Sequence, residues 1–159
     1  MAARKPLVLN SGKVQQLQSG DTLDASTTEV DIVSKTNDNA GSIVIGTPVY
    51  VKSDGDVDKA KADASGTTEV LGLVRDASIA TTAAGNIQTD GVLTATTGEW
   101  DAVTGGSGGL TVGPYYLSAA TAGALTATAP SSAGQYVTRV GFAISTTAMD
   151  ITPQVPMLL

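Results

Sequence analysis

The chain has 159 residues, the length of one domain, with no histidine, no cysteine and only 4% aromatic residues. Most nucleophile–base pairs and transition-metal sites draw on histidine or thiolate, and a disulfide framework needs cysteine, so the composition points to a scaffold or binding protein rather than an enzyme, with no cofactor and no metal. Of the net charge of −6, the first twenty residues hold +3 (Arg4, Lys5 and Lys13, with no acid), which leaves −9 on the rest; an acidic body argues against nucleic-acid binding, which needs a basic surface.

Residues 1–24 read as an N-terminal arm. Leu7-Val8-Leu9 is a short extended run after Pro6, Asn10-Ser11-Gly12-Lys13 is a turn signal, and Val14-Gln15-Gln16-Leu17 is extended again. The arm is either a hairpin or an extended segment lying on a neighbour. Its basic charge suits an acidic protein surface, or else it is a solvated terminus. Met1–Pro6 lacks the apolar stretch and cleavage site of a signal peptide, and no apolar run approaches the roughly 18 residues of a membrane span, so no membrane partner is expected.

Residues 25–152 read as a single β domain. Val30–Val33 alternates in part, and Asn37–Gly41 is a breaker cluster. Ile43-Val44-Ile45 and Val49-Tyr50-Val51 are strands on either side of Gly46-Thr47-Pro48, and Asp54-Gly55 marks a hairpin turn. Asp58–Ala64 has helical propensity but no apolar stripe, and reads as a strand. Glu69–Arg75 and Val92–Thr96 are further strands. Thr97–Asp101 leads into Gly105–Gly109, read as a long, exposed, mobile loop. Tyr136–Ile144 is the last clear strand before Met149-Asp150-Ile151. In the tail, residues 153–159, Pro153 and Pro156 prevent regular structure, and its apolar end is expected to pack on the body or on a neighbour.

The chain also repeats itself. Gly46-Thr47-Pro48-Val49-Tyr50-Val51 is answered by Val112-Gly113-Pro114-Tyr115-Tyr116-Leu117, and Val70-Leu71-Gly72-Leu73-Val74 by Arg139-Val140-Gly141-Phe142-Ala143, at an offset of 66 to 69 residues. The period is too long for the commoner solenoids and reads as a duplicated hairpin unit over 43–76 and 110–145. Short strands, frequent turn residues and abundant Thr predict an all-β fold, a small β-sandwich or β-barrel with an internal duplication and little or no helix.

Three motifs fail their chemistry. Asp54-x-Asp56-x-Asp58 opens like a calcium loop but has Lys59 and Ser65 where Gly and Glu belong. Glu99 and Asp101 read as solvated acids on an exposed loop rather than a glycosidase pair. Gly105–Gly109 lacks the Gly-Lys-Ser/Thr ending of a phosphate loop. Trp100 is read as an anchor over the end of the β core or as an interface residue; Tyr115 and Tyr116 alternate across a strand, so one faces the core and the other solvent or a partner, and Trp100 and Tyr115 are the candidate exposed or interface residues. Trp100, Tyr115 and the glycine loop would be the surface of a receptor- or glycan-binding module, if the chain is one.

The segment Arg4-Lys5-Pro6-Leu7-Val8-Leu9-Asn10-x-Gly12-x-Val14-Gln15-Gln16-Leu17-x-x-Gly20-Asp21-Thr22-Leu23 resembles an N-terminal segment of tailed-bacteriophage structural proteins, fibre and head proteins among them. Gly46–Val51 through Val70–Val74, Thr89-Asp90-Gly91-Val92-Leu93 and Val140–Ser145 resemble capsid decoration (cement) proteins. The resemblance implies a virion protein without enzyme activity that binds the outer head surface, with the major capsid protein and other copies of itself as partners. A homotrimer is expected, with Arg4, Lys5, Leu7, Val8, Leu9, Val14 and Leu17 as the capsid-binding residues. A fibre, spike or collar attachment protein is the alternative that the shared N-terminal segment implies.

Overall fold

A computed structural model describes residues 7–10, 13–16 and 30–159. In the arm, β1 (Leu7–Asn10) and β2 (Lys13–Gln16) pair antiparallel, with Leu9 opposite Val14, so this part of the arm is a hairpin. The body follows as β3 (Ile32–Thr36), β4 (Ile43–Val44), β5 (Pro48–Val51), β6 (Val57–Lys59), β7 (Gly72–Val74), β8 (Ser78–Ile79), β9 (Ala84–Gln88), β10 (Gly91–Thr94), α1 (Thr97–Thr104), β11 (Gly113–Leu117), β12 (Leu125–Thr126), β13 (Tyr136–Val137), β14 (Arg139–Ala143), β15 (Ala148–Ile151) and β16 (Met157–Leu158). The protein is all-β apart from one short helix among the described residues.

The duplication is present in the topology. One five-stranded sheet has the order β3-β9-β7-β5-β6 and the other β10-β15-β14-β11-β12, so the two are wired alike, strand for strand, and every pairing is antiparallel. Register agrees as well. Pro48 faces Leu73 and Val49 faces Gly72 in the first sheet; Pro114 faces Phe142 and Tyr115 faces Gly141 in the second. Val51 faces Val57 as Leu117 faces Leu125. The unit is larger than the sequence similarity, running from Ile32 to Gln88 and from Gly91 to Ile151. Neither sheet closes on itself, so the arrangement is the sandwich and not the barrel.

Side-chain alternation gives each sheet two faces. In the first sheet Val49, Val57, Val74 and Ile87 form a small core with Ile43 of β4 and Ile79 of β8, whose two-stranded ribbon covers them. Asn37 is wholly buried and holds that cover. Its Nδ2 donates to the carbonyls of Gly41 (3.1 Å) and Ile79 (3.0 Å), and its Oδ1 accepts the Asn39 N–H (2.9 Å). The opposite face, with Leu73, meets the second sheet. Leu93, Tyr115, Leu117, Leu125, Ala143, Met149 and Ile151 of that sheet lie in one core cluster with Leu73, Ile45, Ala60, Ala62 and Val70.

Equivalent glycines sit where strands approach closely. A Cβ at Gly72 would collide with the Gln88 carbonyl, and one at Gly141 with the Asp150 carbonyl. Both are on the central strand of their sheets, the fourth of five in chain order, and β7 and β14 are each followed in their sheet by the neighbour they would strike, β9 and β15. No larger residue fits there without backbone displacement.

The structure corrects several expectations. Thr97–Thr104 is a helix, not a loop: the Thr96 side chain accepts the Glu99 N–H (3.3 Å), Glu99 accepts the Thr96 N–H (2.7 Å), and Gly105 ends the helix in the left-handed conformation. The Asp58–Ala64 strand stops at Lys59, because Ala62–Thr67 turns back through Lys61 N–H to Thr67 carbonyl and Thr67 N–H to Ala64 carbonyl bonds. The single strand over Tyr136–Ile144 is two, broken at the buried Thr138, whose hydroxyl donates to the Thr68 carbonyl in the first half. Despite its two prolines the tail ends in a strand, β16, on β13. Its backbone packs on the body, while Met157, Leu158 and Leu159 leave their side chains exposed.

Candidate functional site

Of the residues assigned to capsid binding, Arg4, Lys5 and Leu17 lie outside the described residues. Leu7, Val8 and Leu9 are on β1 and Val14 is on β2, with Val8 opposite Gln15. The structure thus brings the four described members together in one two-stranded ribbon.

Trp100 and Tyr115 are not exposed. Trp100 is wholly buried from α1 into the shared core, and its indole N–H donates to the Thr147 carbonyl at 3.0 Å. Tyr115 is 4% exposed, and its hydroxyl accepts the Thr111 N–H at 3.1 Å. A strand places one of two adjacent tyrosines inside, and here Tyr115 is inside and Tyr116 half-buried. Neither aromatic named for a glycan-binding platform is available at the surface.

The two acids beside Trp100 have structural partners. Glu99 closes the N-terminus of α1, and the N–H and hydroxyl of Thr96 hold its carboxyl below the ordinary carboxylate range. Asp101 accepts the N–H of Gly108 (3.0 Å) and of Gly109 (2.8 Å). The glycine loop is therefore pinned to the helix rather than left free, a device that the Asp101-x6-Gly108-Gly109 spacing carries but composition alone conceals. Two aspartates of the failed calcium motif are likewise engaged: Asp54 caps the Asp56 N–H (3.1 Å) and lies 3.6 Å from Lys52, and Asp58 accepts from the Asn39 side chain (2.7 Å). The Asp56 N–H holds the Asp54 carboxyl low, and Asp38 is the main group raising the Lys52 ammonium. No group of three or more acids is arranged to hold a metal ion among the described residues.

Among the described residues, the grooves bring together no convergent set of reactive groups. A groove of about 520 Å³ lies between the end of β5 and the segment before β7, lined by Tyr50, Val51, Ser65, Gly66, Glu69 and Leu71. It exists because the repeats differ. In the second sheet the Leu117 N–H bonds to the Thr138 carbonyl and Tyr116 pairs with Arg139, whereas in the first the ladder between β5 and β7 ends at Val49 and Gly72.

The surface feature that sequence reasoning missed is apolar. Phe142 (42% exposed), Ile144 (51%) and Val112 (63%) lie in the open on and beside the outer face of the second sheet. The repeat contained the signal for it: Phe142 matches the buried Leu73, yet has no second sheet above it.

The chain matches no protein-family model, and a comparison with curated proteins finds no match.

Proposed function

We propose that this chain is a virion structural protein that binds the outer surface of a tailed-bacteriophage head and decorates or stabilises the capsid, with the major capsid protein as its partner. The observation that carries the reading is the ordered set of segments, from Arg4–Leu23 through Gly46–Val51 to Val140–Ser145, that resembles phage structural and decoration proteins. Two physical features support it. The N-terminal arm is basic and apolar while the body is acidic, a division suited to docking an arm on another protein's surface. The body is a duplicated sandwich whose acids next to Trp100 serve as backbone caps, an arrangement suited to a rigid displayed module and not to chemistry.

In this reading Arg4 and Lys5 supply charge, and Leu7, Val8, Leu9, Val14 and Leu17 the apolar contacts, by which the arm adds to a sheet edge of the shell or of a neighbouring copy in a homotrimer. Many copies on one particle gain avidity, so each contact is modest. Electron cryomicroscopy of particles with and without the protein tests the assignment. Difference density spread over the head lattice is expected, and density confined to tail or collar overturns it in favour of fibre or collar attachment.

A further inference from the structure

We propose that the open edge of the second sheet, strand β10, takes up an extended segment of another polypeptide as an added strand, and that Arg75 selects for a carboxylate on that segment. The site goes beyond head binding and does not depend on it.

The two halves treat their equivalent edge strands differently. In the first sheet the edge is β3, and its end is covered: Asn37 bridges Val57, and the Lys35 ammonium donates to the Gly55 carbonyl at 3.0 Å. In the second sheet the edge is β10, Gly91–Thr94, which has no charged residue, no proline and, among the described residues, no bridge on its outer side. Charges, prolines and covering contacts are the usual devices that keep an edge from pairing.

Register shows which groups this edge offers. The Ala95 N–H donates to the Thr147 carbonyl (3.0 Å), so Ala95, Leu93 and Gly91 turn their backbone groups to β15. The Ala148 carbonyl, opposite Thr94, accepts the Ile144 N–H (2.9 Å) on the β14 side, which fits the same alternation. Val92 and Thr94 therefore turn N–H and carbonyl outward, donors and acceptors in turn along the open edge. A lone anion would meet the carbonyls as well as the N–H groups. An extended backbone satisfies both, as in strand addition.

A cleft of about 290 Å³ lies beside the edge, lined by Val92, Leu93 and Thr94 of the second half and Arg75 and Gln88 of the first. Gln88 is wholly buried; its Nε2 donates to the Asp90 carbonyl (3.0 Å) and its Oε1 accepts from the Arg75 guanidinium (3.0 Å). The guanidinium is thus held in place, and no carboxylate among the described residues lies within ion-pair distance of it. Asp76, next in the chain, is engaged instead by the Asn86 N–H (2.9 Å) and side chain (3.1 Å). Arg75 is the one charged residue lining the cleft. A strand lying on β10 passes this guanidinium, whose paired N–H groups match a carboxylate. The chain's own arm, with +3 in its first twenty residues, has the wrong sign for it, so the occupant is an acidic segment and not the arm of a neighbouring copy.

Amide NMR of the isotope-labelled full chain tests the site, with the blocked peptide acetyl-Thr-Val-Asp-Val-Thr-amide and the same peptide carrying Lys for Asp as probes. The Asp peptide is expected to shift the Val92 and Thr94 amide signals first, with a dissociation constant on the order of 1 mM. The Lys peptide should bind about fivefold more weakly, the upper end for an exposed ion pair. Arg75→Glu should reverse that preference, which a merely structural Arg75 would not do. Thr94→Pro should abolish the shifts and leave far-UV circular dichroism unchanged, because its N–H serves no bond within the sheet and an edge tolerates proline there. If Thr94→Pro does not fold, the Arg75→Glu reversal decides the matter. The proposal is overturned if neither peptide shifts the Val92 and Thr94 amides at concentrations up to about 10 mM, or if the two peptides bind the wild type alike.

Discussion

Removing the Trp100 ring tests whether the helix is part of the core or a surface ornament. The side chain is 0% exposed and packs against Gly46, where an added Cβ would come within 3.0 Å of the ring, and against the apolar residues of both halves. Trp100→Ala should therefore cost about 3–5 kcal/mol, the usual range for deleting a buried large aromatic. Trp100→Phe loses the indole bond to the Thr147 carbonyl, which still accepts the Ala95 N–H (3.0 Å), so it should cost about 0.5–1.5 kcal/mol for the lost bond together with a smaller packing loss. A domain of this size has about 5–15 kcal/mol in hand, so the alanine variant should lose roughly a fifth of its stability or more. The shift in melting temperature should be roughly 2–4 °C per kcal/mol. Urea unfolding followed by far-UV circular dichroism measures both variants. As Trp100 is the only tryptophan, wild-type fluorescence gives a second readout: iodide should quench it weakly in the native state and strongly after unfolding. Equal quenching in both states, or an alanine cost under about 1 kcal/mol, would show that the ring is not packed between the sheets and refute the reasoning.

Gly72→Ala and Gly141→Ala should each destabilise by about 1–3 kcal/mol in urea unfolding, since each forces apart two paired strands at equivalent places in the two halves. Asn37→Ala should cost roughly 1–3 kcal/mol by leaving the Gly41 and Ile79 carbonyls without their donor, and should raise amide exchange first in β4 and β8. Asp101→Ala should speed hydrogen exchange at the Gly108 and Gly109 amides while leaving the sheets protected. The Glu99 carboxyl titrates below its ordinary value in the folded chain, so its contribution is present above the unfolded pKa and lost as pH falls through the folded one; the acid-side drop in melting temperature should shrink in Glu99→Gln. Deleting residues 2–23 should leave a folded body that no longer decorates particles, and unchanged occupancy would reduce the arm to a solvated terminus.

The class of fold and the duplication were legible in the sequence because they rest on local chemistry. Turn residues such as Asp54-Gly55 fix where a strand must end, and Gly-Thr-Pro or Gly-Pro before a β-branched or aromatic pair marks the same strand twice. The helix was half-legible: Thr96-x-x-Glu99 and Gly105 are its caps, but eight residues are too few to be stable alone, and it is the burial of Trp100 and Val103 that holds it. The arm residues proposed for binding stand out by charge at Arg4 and Lys5 and by apolar character at Leu7, Val8, Leu9, Val14 and Leu17. The outer face did not stand out, because exposure is not a property of a residue or its neighbours in sequence. Leu73 and Phe142 hold equivalent positions on equivalent strands, and only the stacking of one sheet on the other decides that the first is buried and the second is not. Strand content and repeat are thus written locally, while the sheet each strand joins, the break at Thr138 and the face left open arise from contacts between halves some seventy residues apart, which tertiary packing alone selects.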